Sequence, residues 1–225
     1  MRIWLGLLAL VAAAWADAPT APPLVERPIP FPEERRQLTL DYLRQHVDPA
    51  TATIEIIPQI VVLHWTGGAT ADSAWNTFAP VRAADARPEL ARQGAVNVSA
   101  HFLVDRDGTT FRLMPETWAA RHCIGLNAWS VGVENVGDGG ASPLTDAQVA
   151  ANVALIRWLK ATYPTITHLI GHQEYRALEG TPLFRELDPS YRNHKPDPGE
   201  DFLRRVRAEV ADLGLLGPTG AAPGR

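Results

Sequence analysis

The chain has 225 residues, 46% hydrophobic and 20% charged, enough apolar content for one globular domain with a sizeable core. A formal net charge of -4 leaves no basic footprint for nucleic acid, which excludes that class of partner. Cys123 is the only cysteine, so no internal disulfide can form, and it lies too far from the N-terminus to take a lipid anchor.

Met1-Arg2, the apolar run Ile3 to Trp15 and the small residues Ala14, Ala16 and Ala18 read as a secretory signal peptide, residues 1–18. The run is too short for a membrane span, so the expected product is soluble, periplasmic or secreted, with no stable membrane anchor after cleavage. Residues 19–32 are Pro-rich and are expected to be a linker. Leu40, Leu43 and Val47, three and four apart, predict a helix from Pro32 to Val47 within an N-terminal extension, residues 33–53.

The main domain is expected over residues 54–214. Thr53 to Ile56 alternates like a strand, and Ile60 to Leu63 is continuously apolar, as in a strand covered on both faces. Gly67-Gly68 ends that strand, and Asp72 to Phe78 suits a short helix. Val98 to Val104 and Thr109 to Met114 flank Asp105-Arg106-Asp107-Gly108, a strong hairpin signal, and His101, inside the first strand, is expected to be structural.

Trp118 to Asn127 reads as a loop and Val131 to Val136 as a strand. Its Glu134 shares a face with Gly132 and Val136; a carboxylate in an apolar strand is costly unless paired, which marks it as a functional candidate. Thr145 and Gln148 form a capping box for a helix to about Tyr163, ended by Pro164, with Val149, Val153, Ile156 and Leu159 on one face. Thr165 to Ile170 is the next strand. A last helix starts at Glu200 with the stripe Phe202, Val206, Val210 and Leu213 and Gly214 as its cap. Residues 215–225 are expected to be a disordered tail. The fold class is a single α/β domain with a mixed central sheet flanked by helices.

His64 and His172 each follow a short predicted strand, and the carboxyl ends of strands in α/β sheets open into the ligand crevice. With Asp197 they make a three-ligand set that leaves a fourth position for water, the usual arrangement of catalytic Zn2+.

Ile60-Val61-Val62-Leu63-His64, Val98 to Gly108, Val131-Gly132-Val133-Glu134, Gly171-His172 and Lys195-Pro196-Asp197-Pro198-Gly199 occur in the order seen in zinc-dependent N-acetylmuramoyl-L-alanine amidases. Over roughly residues 54 to 213 the chain resembles that type 2 family, which includes the peptidoglycan recognition proteins. The resemblance implies their fold, zinc on His64, His172 and Asp197, and catalytic roles for Glu134 as general base and Lys195 beside the developing oxyanion. It also implies a peptidoglycan or muropeptide substrate, cut between N-acetylmuramic acid and the L-alanine of the stem peptide. Trp65, His122 and Asn127 are candidate substrate contacts. Gln173 to Asn193 looks like an insertion, and its charged and aromatic content is expected to form a wall of the substrate groove. The rival readings are a non-catalytic peptidoglycan-binding module and a zinc peptidase or deacetylase on another fold. Filled ligand positions favour the enzyme over the module, and the lack of His-Glu-x-x-His counts against the common peptidases.

Overall fold

The central strand β2 (Ile60–Trp65) is apolar along its first four residues because the sheet is covered on both faces there. Val61 and Leu63, with Val131, Val133, Phe102 and Val104 of neighbouring strands, pack under α4 (Asp146–Thr162) and α5 (Glu200–Glu209). Ile60 and Val62 point the other way, onto Ile124, Leu126, Ile170, Tyr175 and Phe184. Full burial of one such side chain contributes roughly 1.5–3 kcal/mol, so this two-sided core dominates the stability of the sheet.

The computed structural model describes residues 20–84 and 87–219. Around β2 lie β1 (Leu24–Glu26), β3 (Phe102–Val104), β4 (Thr110–Arg112), β5 (Ser130–Asn135) and β6 (His168–Gly171), in the order β1-β4-β3-β5-β2-β6. Only β3 and β4 pair antiparallel, as the hairpin turn between them requires. The sheet is therefore mixed and helix-flanked, as expected. Three further helices, α1 (Glu33–His46), α2 (Ala71–Phe78) and α3 (Pro88–Arg92), complete the helical set among the described residues, none of it long and apolar enough to cross a membrane.

The capping box of α4 is present, and it does more than start a helix. The Gln148 amide also donates to the Val104 and Val136 carbonyls at 3.2 and 2.9 Å, tying the helix start to the ends of β3 and β5.

Several expectations change. Within the stretch expected as a linker, the described residues 20–32 are docked on the domain: β1 pairs with β4 at the sheet edge, where missing prolyl N–H groups are tolerated, and Ile29 is buried. Thr53 to Ile56 contributes a single bridge, Glu55 to Trp118, because Ile54 and Ile56 insert into a cluster with Leu43 of α1 rather than extend a ladder. That packing also makes residues 33–53 part of the domain. The strands expected at 98–104 and 109–114 shorten to β3 and β4. The last helix stops at Glu209, and a 3₁₀ turn, Ala211–Leu213, carries the chain to Gly214 in the left-handed region at φ 63. Leu215 is buried and Leu216 bridges to His168, so the expected tail begins later than residue 215. The expected signal peptide, residues 1–18, lies outside the described residues, as do residues 220–225.

Candidate metal centre

Strands β2, β5 and β6 are parallel neighbours, so their carboxyl ends share one edge of the sheet. His64 and Glu134 are register partners across β2 and β5, and His172 follows Gly171, the register partner of Leu63. His64 lies inside its strand, which runs on to Trp65, whereas His172 opens a 3₁₀ turn, His172–Leu178. That turn is pinned at its start. Glu174 accepts from the Gly171 N–H at 3.0 Å and pairs with Arg207 of α5 at 2.7 Å. Arg207 also donates to the Leu169 carbonyl at 2.7 Å. Asp197 is held to the same turn by the Gln173 N–H, which donates to its carbonyl at 2.9 Å. Gly171 has to be a glycine, since a Cβ there would come 2.9 Å from Pro198 Cδ and 2.5 Å from Gln173 Oε1.

These elements bring His64 Nδ1, His172 Nδ1 and Asp197 Oδ2 into a triangle with edges of 2.9, 3.0 and 3.2 Å. All three residues are buried. Two imidazole nitrogens facing each other at 2.9 Å repel unless a proton or a cation lies between them. Tetrahedral coordination at zinc–nitrogen distances of ~2.0–2.1 Å spaces donors roughly 3.3 Å apart, close to this triangle. The donor set therefore fits a zinc ion. Burial, with His64 beside it, lowers the His172 pKa to about 4, so the imidazole is neutral and available as a ligand at neutral pH. Burial alone would raise the Asp197 carboxyl, but hydrogen bonds and charge from His172 and His64 outweigh it and hold the group well below the usual carboxylate range.

A cleft of about 350 Å3 opens onto the triangle, lined by Trp65, His122, Glu134 and Lys195 as well as the three ligand candidates. Burial pushes the Glu134 pKa up to about 7; His64 and Lys195 pull it down and Asp197 pushes it up, with less effect than burial. Its Oε2 is buried with no hydrogen-bond partner, an expensive state for a carboxylate that only stabilises the fold.

A family model described as N-acetylmuramoyl-L-alanine amidase matches residues 55–200, spanning every one of these groups. The chain belongs to that amidase family. Its fold is shared with two solved amidases of Clostridium intestinale URNW. The endolysin LysCS is 19% identical with a TM-score of 0.53, covering 88% of this chain and 99% of that one. LysC is 21% identical with a TM-score of 0.53, covering 87% and 99%. AmpD, solved as its selenomethionine derivative, is 22% identical with a TM-score of 0.50, covering 86% and 97%. Among curated proteins, the phosphomannomutase/phosphoglucomutase of Pseudomonas aeruginosa is 29% identical over 140 residues, 55% of this chain. The chain spans only 30% of the length of that relative.

Within the amidase site, the substrate-contact candidates separate. The Trp65 indole lines the cleft with Gly139 and Gly199 laid against it: a Cβ on either would come within 2.4 or 3.3 Å of the ring. His122 lines the cleft too, but its Nδ1 lies 2.9 Å from His64 Nε2, so it contacts a ligand candidate directly. Asn127 lines the narrow annex of the cleft and also braces the loop before β5. It is buried, its Oδ1 accepts from the His122 and Cys123 N–H groups at 2.9 and 2.8 Å, and its Nδ2 donates to the Tyr42 hydroxyl at 3.1 Å. Those bonds lock the loop and commit the amide oxygen and one of the two amide hydrogens.

The 173–193 segment departs from the expected substrate wall over most of its length. Tyr175, Leu178 and Phe184 are buried in the core beneath β2 and β6, and Arg176 and Arg192 pair with Glu179 at 2.9 and 3.2 Å. Only Tyr191 and Asn193 reach a narrow annex of the cleft, of about 60 Å3. His101 behaves as expected: its Nδ1 accepts from the Gly132 N–H at 2.9 Å, its Nε2 donates to the Trp118 carbonyl at 2.8 Å, and burial lowers its pKa to about 4. Thr66, Arg87, Ser99 and His194 line the cleft without a sequence signal. Arg121 lines it as well, but its guanidinium is consumed by the carbonyls of Leu90, Gln93, Gly94 and Val96.

Proposed function

We propose that this protein is a zinc-dependent amidase that hydrolyses the bond between N-acetylmuramic acid and the L-alanine of the stem peptide, in peptidoglycan or its fragments. The observation that carries the reading is the buried His64–His172–Asp197 triangle beside an unpartnered Glu134, inside the matched family region. His64, His172 and Asp197 would hold the zinc, which would supply Lewis acidity for amide hydrolysis. Glu134 takes the proton of the attacking water, a task suited to a carboxyl poised near neutrality, and passes it to the leaving amine. Lys195 sets its ammonium beside the oxygen that gains charge. Trp65 offers an apolar wall to the sugar or the stem peptide.

The N-terminal run Ile3 to Trp15 supports export, which brings the enzyme to cell wall or shed muropeptides in the periplasm or outside the cell. The binding-module reading leaves unexplained why a pure binder keeps a full donor set and a costly unpaired carboxylate. Metal analysis of the purified protein, together with mass spectrometry of digested muropeptides, tests the proposal. One zinc per chain and free stem peptides starting at L-alanine are expected. Binding of muropeptides without cleavage by the zinc-loaded protein would establish the module instead.

A further inference from the structure

The second nitrogen of a metal-bound histidine needs a partner that fixes its proton and ring orientation, most often a carboxylate or backbone carbonyl. For His64 that partner is another imidazole. His64 Nε2 lies 2.9 Å from His122 Nδ1; His122 Nε2 lies 3.1 Å from Ser130 Oγ and 3.4 Å from the Ser130 carbonyl; and Ser130 Oγ donates to the Leu126 carbonyl at 2.8 Å.

The direction of every proton in this chain follows from its far end. A carbonyl only accepts, so the single Ser130 hydroxyl proton is committed to Leu126 and its Oγ can only accept from His122. The Ser130 carbonyl makes the same demand. His122 is therefore protonated on Nε2, which leaves Nδ1 as an acceptor. His64 must then carry its proton on Nε2, and its Nδ1, the atom at the ligand triangle, is left with a bare lone pair. The fold makes room for this relay. Gly132, on the strand between Ser130 and Glu134, lies directly under the His122 ring, and a Cβ there would come 2.7 Å from its Cγ and 2.8 Å from its Nδ1.

We propose that His122, backed by Ser130 and the Leu126 carbonyl, is a positioning residue that fixes the tautomer and orientation of His64 as a metal ligand. The inference rests on the proposed metal site for its consequence, but its tautomer claim concerns the protein alone.

The test uses full-length mature protein with ¹⁵N-labelled histidine. In the metal-free wild type the imidazole shifts are expected to show His64 and His122 both protonated at Nε2. A proton on His64 Nδ1 would overturn the inference whether or not zinc binds. For the consequence, zinc affinity is measured by competition with a chromophoric chelator. His122→Phe, which keeps the ring and removes the acceptor, should weaken zinc binding roughly 10–100-fold, the usual cost of losing such a partner. His122→Asn, whose Oδ1 can replace Nδ1, should recover most of it, and Ser130→Ala should cost less than His122→Phe. Equal zinc affinity in wild type and a folded His122→Phe variant would overturn the role. Should His122→Phe fail to fold, weakened zinc affinity in Ser130→Ala with near wild-type affinity in His122→Asn would support the role, and wild-type affinity with an unchanged His64 spectrum in Ser130→Ala would overturn it. A wild type that binds no zinc, yet shows the expected tautomers, would remove the metal site and leave the relay standing.

Discussion

Two buried histidine–carboxylate clusters in this member of the amidase family are built from the same residue types and are arranged in opposite ways. In one, His46 of α1 sets its Nδ1 2.8 Å from Glu186 Oε1 and its Nε2 3.0 Å from the Gln93 carbonyl. Each nitrogen has its own partner on its own side, both side chains are sealed from solvent, and the result is a clamp between α1, the loop before β3 and the 173–193 segment. In the other, two imidazoles aim Nδ1 at the same carboxylate oxygen, and the cluster opens onto a cleft. Convergence on one point, rather than burial or composition, separates a ligand set from a structural pair. Substitutions should therefore split the two clusters along different observables.

The largest expected effect lies at the open cluster. His64→Ala or His172→Ala should lose zinc and activity together, with turnover falling roughly 10³-fold or more, because the donor set drops below the three protein ligands of a catalytic site. Metal content by mass spectrometry and rates on muropeptides check this, and full activity in a metal-free sample would sink the mechanism. The equivalent change at the closed cluster, His46→Ala, should leave zinc content intact.

Next comes Glu134→Gln, which should retain zinc while kcat drops roughly 10²-fold or more, since it removes the base and keeps the shape. The same variant should be more stable than wild type when both are metal-free. Glu134 has a folded pKa of about 7, above the ordinary 4.5, so its protonated form supports the fold at low pH and that contribution is lost as pH rises through about 7. Gln carries no such penalty. Its advantage in denaturant midpoint should grow from pH 4.5 to above 7 and reach about 1 kcal/mol or more. A pH-independent difference would return Glu134 to an ordinary exposed carboxylate.

At the closed cluster the currency is stability. His46→Ala leaves the buried Glu186 carboxylate with the Asp188 N–H, at 2.9 Å, as its remaining partner on Oε1 while Oε2 has none, and the cost should be about 3 kcal/mol in urea unfolding. Turnover of the folded fraction should stay within a few-fold of wild type.

Much of the core, and the meeting of His64, His172 and Asp197, was legible in the sequence because both depend on local pattern. Apolar runs marked β2, β5 and β6, a Thr–Gln pair marked the start of α4, and histidines at or next to the carboxyl ends of two strands marked the ligand candidates. What was misread depends on contacts between distant segments. Prolines between residues 19 and 32 suggested a linker, but a three-residue edge strand needs only β4 to pair with. Asn127 braces its loop through Tyr42, 85 residues away, a contact that no local pattern shows. The role of His122 had one local signal that passed unread: a glycine in the middle of β5 marks a place where something approaches the backbone closely.

The smallest expected effect concerns the 173–193 segment, where sequence composition pointed to a substrate wall and the structure pairs Arg176 and Arg192 with Glu179. Arg176 pairs with Glu179 at the surface, its side chain 61% exposed, and such pairs contribute ~0–1 kcal/mol. Glu179 keeps a second partner in Arg192, so Arg176→Ala strands no charge. The variant should show a melting temperature within a few degrees of wild type and unchanged relative rates across muropeptides with different stem peptides. Tyr191→Ala is the useful contrast, because Tyr191 is the side chain of the segment that reaches the annex while also packing on His46 at 5.0 Å between ring centroids. It should lower stability and alter rates on the longer stem peptides, coupling the clamp to the cleft. A change of more than about threefold in relative rates for Arg176→Ala would restore the wall that the composition suggested.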